Sequence, residues 1–197
     1  KSYYWGELFV KEIRWHGRGG NGGFTAARLL GYAASLHCGK YAQAFPSFGP
    51  ERRGAPVLGF TRIDDAPITD HSQVYSCDCV IVLDETLLEV VNILEGLKED
   101  GSVFINSTLP AEAFRKRPGF DKVKNLVTID ATAIALQELG ANIVNTIMMG
   151  AAVGGTDLVT PEAMAAAIDG SMSPSLREKN KKVTQMAYDI VKGGMAK

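Results

Sequence analysis

The segment Gly17-Arg18-Gly19-Gly20-Asn21-Gly22-Gly23 constrains this chain more than any other stretch. It places five glycines in seven residues, between the alternating run Glu12–His16 (EIRWH) and an Ala- and Leu-rich stretch from Thr25 to Cys38. Gly17, Gly19 and Gly22 have the spacing G-x-G-x-x-G, and the pattern follows a strand and opens a helix. Glycine permits a tight turn and close approach of backbone to a ligand, and a helix N-terminus offers unpaired N–H groups to an anion. Gly20, Asn21 and Gly23 complete the loop, and Thr25 either caps the helix or donates to a phosphate. A tight turn that touches only protein satisfies the same glycines, so both readings stand. The dinucleotide version of this motif needs a carboxylate about 20 residues on to hold the ribose hydroxyl. Here that region reads Phe45-Pro46-Ser47, and the nearest acid, Glu51, is followed by Arg52 and Arg53. The pattern therefore favours an anion over NAD.

Those two arginines are the second signal. They sit in the loop from Ser47 to Pro56, between Gly49 and Gly54. Guanidinium groups bind phosphate or carboxylate bidentately. The alternative is a solvated charged loop in which Glu51 pairs one arginine.

Around these loops strand and helix patterns alternate. Strands are predicted over 12–16, 41–45, 79–83, 102–105 and 126–129, and a hairpin over 57–68 with Asp64-Asp65 at its turn. Helices are predicted over 25–38, 87–97, 131–139, 144–153, 161–168 and 175–191. The run Cys79–Leu83 (CVIVL) is continuously apolar, as a strand covered on both faces is. This order implies an α/β fold: a Rossmann-like, open, largely parallel sheet with helices on both faces and a β-hairpin insertion. The chain's 197 residues, without repeat or linker, suit a single domain. Ligands in such sheets bind beyond the carboxyl ends of the strands, where the glycine loop, the arginine loop and Asp84-Glu85 all fall.

Composition removes several classes. A net charge of −1 lacks the basic excess of a nucleic-acid binder, and no apolar run approaches a membrane span. No signal-peptide pattern opens the chain, which reads as cytoplasmic. Cys38, Cys77 and Cys79 form no C-x-x-C and fall short of a cluster's ligand set, so they read as buried apolar residues of a reducing compartment and no metal site is expected. His16 reads as a satisfied residue at the edge of the core, and His37 and His71 share no ligand spacing. Asp84 and Asp130 read as helix caps, Met148-Met149 as core, and Asn145 as a buried hydrogen-bonding residue. No nucleophilic triad is legible, and no catalytic residue is assigned.

The segments GRGGNGG, KYAQAFPSFGPERRGAPV (40–57) and FTRIDDAPI (60–68) resemble the gamma subunit of the 2-oxoacid:acceptor oxidoreductases. DCVIVLDETLLE (78–89) and residues 145–150 are similar too, and the likeness runs from about residue 12 to residue 192. The resemblance implies a subunit of a complex that oxidatively decarboxylates a 2-oxoacid, pyruvate-like or aromatic, to an acyl-CoA. It implies thiamine diphosphate, Mg²⁺ and [4Fe–4S] clusters on partner subunits, with ferredoxin as acceptor, or NAD through an FAD-bearing subunit. In that family this subunit holds no cofactor alone and contributes to coenzyme A binding. Gly17, Arg18, Gly19, Gly20, Asn21, Gly22, Gly23, Thr25, Arg52 and Arg53 are the implied coenzyme A and anion contacts. The family usually carries Gln where this chain has Asn21, and residues 1–11 read as an extension for subunit packing. A stand-alone NAD-dependent dehydrogenase and a purely structural subunit are the competing readings.

Overall fold

A computed structural model describes residues 10–47 and 52–195. Most of the extension read over residues 1–11 and the pairing suggested for Glu51 lie outside them. Six strands form one open sheet: β1 (Lys11–Arg18), β2 (Tyr41–Pro46), β3 (Pro56–Asp64), β4 (Cys77–Val82), β5 (Leu97–Asn106) and β6 (Asn125–Ile129). Their order is β2-β3-β1-β4-β5-β6. β1, β4, β5 and β6 run parallel in sequence of pairing, while β3 is antiparallel to both β1 and β2. After β1 the chain passes through helix α1 (Gly23–His37) to the edge strand β2 and returns as β3 between β2 and β1. From β4 it builds outward on the other side of β1. The reversal point lies between β1 and β4, and a crevice must open beyond their carboxyl ends.

The two faces of the sheet are covered unequally. One carries α1, α3 (Ala131–Leu139), α4 (Asn145–Thr156), α5 (Pro161–Ser171) and α6 (Pro174–Met195). α4 lies at the centre of this layer, buried from Asn145 to Gly154. It meets α6 backbone to backbone. A Cβ on Gly150 would run into the Thr184 carbonyl, and one on Gly154 would stand 2.6 Å from that of Tyr188. Among the described residues the other face has only the five-residue α2 (Ala111–Arg115) and 3₁₀ turns at Glu85–Glu89 and Phe120–Lys122. Its core is made by Phe60, Val80, Val82, Val103, Ile105 and Phe114. Successive β4 residues alternate between the layers, Ile81 joining the helical core and Val82 the other, which explains the unbroken apolar run.

Two sequence expectations need correction. The hairpin is not 57–68: β3 pairs with β2, Tyr41 opposite Asp64 and Pro46 opposite Gly59. Residues 67–70 belong to no strand, because Asp64 turns the chain by accepting the Ala66 N–H at 3.2 Å. The helix predicted over 87–97 is absent. The 3₁₀ turn ends at Glu89, Asn92 accepts the Leu94 N–H, and Gly96 adopts φ +70° with the Tyr75 backbone against its α-carbon. Helical cover on both faces holds, but the second face carries a single helical turn.

Candidate functional site

The glycine loop is folded against its own protein at most positions. Gly17 is buried under Asn21, whose amide end stands 2.6 Å from where a Cβ would be. With its amide oriented by its partners, Asn21 donates to the Arg18 carbonyl at 2.8 Å and accepts the Arg18 N–H at 2.9 Å. Gly22 is the N-cap of α1 at φ +77°, where glycine alone is comfortable, and a Cβ would stand 2.5 Å from Asn145 Nδ2. Gly23 is buried against Leu83. Gly20 and Thr25 differ: both are exposed, and Gly20 has open space around it. Thr25 does not cap the helix. No side chain among the described residues does, and the first-turn N–H groups of α1, like those of any helix, lack an intrahelical partner.

Gly19 joins this loop to the arginines. Its N–H donates to the Ala55 carbonyl at 2.9 Å, its carbonyl accepts the Gly54 N–H at 3.1 Å, and it forms a parallel bridge with Arg53. A side chain there would strike the Arg52 carbonyl. Arg52 and Arg53 are exposed, and neither guanidinium has a hydrogen-bond partner among the described residues. Arg18 is engaged instead: its Nε donates to Asp84 Oδ2 at 2.8 Å, Nη1 to the Gly54 carbonyl at 3.0 Å and Nη2 to Thr86 Oγ1 at 2.7 Å.

Beyond the carboxyl ends of β1, β4, β5 and β6 lies a cleft of about 580 Å³, at the reversal point. Asp84, Glu85, Asn106, Ser107, Asp130 and Thr132 line it. Partial burial disfavours the Asp84 carboxylate, but the Thr86 hydroxyl and N–H, and then Arg18, outweigh that and hold its pKa below the usual carboxylate value. Asn106 ties strand ends together, donating to the Leu83 carbonyl and to Thr132 Oγ1 at 3.0 Å each. Ser107 Oγ donates to Glu85, and Asp130 accepts the Ala133 N–H at 2.8 Å as the cap of α3. Asp84 likewise caps its 3₁₀ turn, so both aspartates cap as the sequence suggests. Sequence reasoning missed Asn106, Ser107 and Thr132. The signal was present, since Asn106-Ser107 ends an apolar strand run at the same level as Asp84.

His16 lies just behind the loop, buried, its Nε2 accepting Arg14 Nε at 3.0 Å. Burial first, then the Arg14 charge, lowers its pKa to about 3. Arg14 itself reaches the Ile93 carbonyl at 2.9 Å. Cys77 and Cys79 are buried in opposite layers, and burial raises both thiol pKa values. No group of three or more His, Cys, Asp or Glu is placed to hold a metal ion among the described residues. The cleft acids are committed to Arg18, Ser107 and a helix cap, and the thiols point apart. Neither set fits an iron–sulfur cluster or a Mg²⁺–diphosphate group. No described helix is long and apolar enough to cross a membrane.

The sequence profile of the pyruvate ferredoxin/flavodoxin oxidoreductase family matches residues 12–190. The chain belongs to that family. It is 51% identical over 178 residues to pyruvate synthase subunit PorC of Methanocaldococcus jannaschii, covering 90% of this chain and 95% of the relative. It is 49% identical, with the same coverage, to the common gamma subunit of the pyruvate/ketoisovalerate oxidoreductases of Pyrococcus abyssi. The crystal structure of pyruvate oxidoreductase subunit PORC from Thermotoga maritima superposes with a TM-score of 0.78 at 41% identity, covering 91% of this chain and 96% of that one. This chain is therefore a gamma-type subunit of a 2-oxoacid oxidoreductase complex, and its open mixed sheet is the family fold.

Proposed function

We propose that this subunit forms an anion-binding lip of the coenzyme A cleft in a complex that converts a 2-oxoacid to an acyl-CoA. One observation carries the reading: Arg52 and Arg53 stand exposed on a loop fastened to Gly19, three residues before the uncapped start of α1 at Gly22. Two guanidinium groups beside unpaired N–H groups suit phosphate oxygens, which accept both. Gly20, with no obstruction around it, lets a ligand approach the backbone there, and Thr25 offers a hydroxyl in the first turn of α1. Gly17, Gly19, Gly22, Gly23 and Asn21 shape the loop from inside, and Arg18 supports it.

The chain takes no acid–base or nucleophilic part. Decarboxylation and electron transfer belong to thiamine diphosphate and iron–sulfur clusters on partner subunits, with ferredoxin as acceptor, or NAD through an FAD subunit. What this chain's residues do is hold the anionic end of coenzyme A and orient it. The 2-oxoacid is pyruvate-like or aromatic, the complex is cytoplasmic, and residues 1–11 extend a single domain for subunit packing.

A purely structural role has its own support, because Gly17, Gly19 and Gly22 each meet protein atoms where a Cβ would be. Kinetics of the assembled complex separate the two. Loss of a charge-assisted bidentate contact costs about 1.5–3 kcal/mol, so Arg52→Ala or Arg53→Ala should raise the coenzyme A KM roughly 10- to 150-fold with the 2-oxoacid KM unchanged. Should both variants keep the wild-type coenzyme A KM, the loop serves packing alone.

A further inference from the structure

The fan of bonds around Arg18 leaves it little freedom to meet a ligand and gives it another role. One guanidinium spans the end of β1, the carbonyl of Gly54 directly after the arginine pair, and Asp84 with Thr86 after β4. The Gly54 bond lies beside the Gly19–Arg53 bridge, so loop 52–55 is held at two adjacent points. The backbone bridge holds it to the glycine loop. The guanidinium ties it to the next strand of the sheet, across the reversal point. Asp84 sets the guanidinium's angle: its Oδ1 takes the Thr86 N–H at 2.9 Å and hydroxyl at 2.6 Å, leaving Oδ2 fixed for Arg18 Nε.

We infer that Asp84 and Arg18 are positioning residues, a latch that holds the Arg52-Arg53 loop in register over the glycine loop without touching coenzyme A. The inference rests on the reading above. Its chemistry runs against simple electrostatics, and that makes it testable. Asp84 is a carboxylate joined through one guanidinium to the loop that carries the proposed phosphate site. If it acted only through its charge, removing it would tighten an anion and lower the coenzyme A KM. A latch gives the opposite sign, because a freed loop must be ordered again each time ligand binds.

The test uses the assembled complex. In Asp84→Asn and Arg18→Met, amide exchange at residues 53–55 should speed up about tenfold or more, with exchange in α4 unchanged. The coenzyme A KM should rise roughly 3- to 30-fold, below the ceiling set by losing a direct arginine contact, with kcat within about twofold. Arg18→Lys should recover part of the loss, since an ammonium can keep Asp84 but cannot also span Gly54 and Thr86. Thr86→Ala, a milder change, should fall between wild type and Asp84→Asn. A coenzyme A KM that drops in Asp84→Asn, exchange at 53–55 that matches wild type in both variants, or a kcat that collapses at saturating coenzyme A would each overturn the latch. Arg52→Ala and Arg53→Ala that both keep the wild-type coenzyme A KM would sink the proposed function alone, and the exchange measurement would still decide whether the latch exists.

Discussion

Asn145, the first residue of α4, donates its side-chain amide to the carbonyl of Gly22 across 3.3 Å, although 123 residues separate them. It closes the glycine loop from behind. The same contact leaves no room for a side chain, since a Cβ on Gly22 would meet Asn145 Nδ2 at 2.5 Å.

Gly22→Ala should therefore suffer twice, from a φ of +77° and from that overlap, whereas Gly20→Ala at φ +91° meets nothing within 4 Å. Denaturant unfolding should show a loss of about 1 kcal/mol for Gly20→Ala and about 2–4 kcal/mol for Gly22→Ala. Adding Asn145→Ala to Gly22→Ala should recover part of the difference. Equal losses at both glycines would show that Asn145 yields freely.

Thr61 forms a relay in the core. Its hydroxyl accepts Trp15 Nε1–H at 3.1 Å and donates to the Ala27 carbonyl at 2.9 Å, linking β1, β3 and α1. Thr61→Val conserves shape but strands a buried indole N–H, and should cost about 1–3 kcal/mol. Thr61→Ser keeps the hydroxyl and should cost less. The same unfolding measurement checks the order.

Acidification should destabilise the chain through His16. Its folded pKa of about 3 lies below the ordinary 6.5, so between those values the unfolded chain binds a proton that the native state refuses. Stability from this source is complete above pH 6.5 and declines on acidification, by up to about 1.4 kcal/mol per pH unit. At pH 5 the wild type should have lost about 2 kcal/mol more, relative to neutral pH, than His16→Gln, whose amide oxygen can still accept from Arg14. Unfolding titrations at a series of pH values give both curves. Parallel curves would mean that His16 does not remain neutral.

The three thiols should react in a fixed order. Cys77 and Cys79 are buried with raised pKa values, whereas Cys38 is only partly buried at the end of α1. Iodoacetamide should modify Cys38 first in the native protein, and the other two only on unfolding. Peptide mass spectrometry resolves the sites. Early labelling of Cys79 would show that the sheet opens at β4.

The parallel centre of the fold was legible because β4 carries the uninterrupted apolar run that begins at Cys79, a pattern that burial on both faces imposes. The glycine loop was legible as a tight turn, because Gly17, Gly19, Gly22 and Gly23 each sit where a Cβ would meet protein atoms. The stretch from Leu87 to Leu97 misled because its apolar spacing fits a helix, while Asn92 and the positive φ of Gly96 break it into turns that still bury Leu87 and Ile93. The hairpin was assigned to the wrong partner because Asp64-Asp65 resembles a tight turn, whereas β2 and β3 are joined by the longer arginine loop. The role of Arg18 was invisible: its partner Asp84 is 66 residues away, and no local pattern reports a pairing across the sheet's reversal point.

The direct backbone contact between α4 and α6 sets limits on how the subunit can move. With Gly150 and Gly154 seated on the carbonyls of Thr184 and Tyr188, the two helices lack the side-chain cushion that would let one slide on the other. They act as an anvil. Motion that admits or releases a ligand falls instead to the chain after β4, which lines the cleft at Asp84, Glu85 and Thr86 in a single 3₁₀ turn rather than a helix.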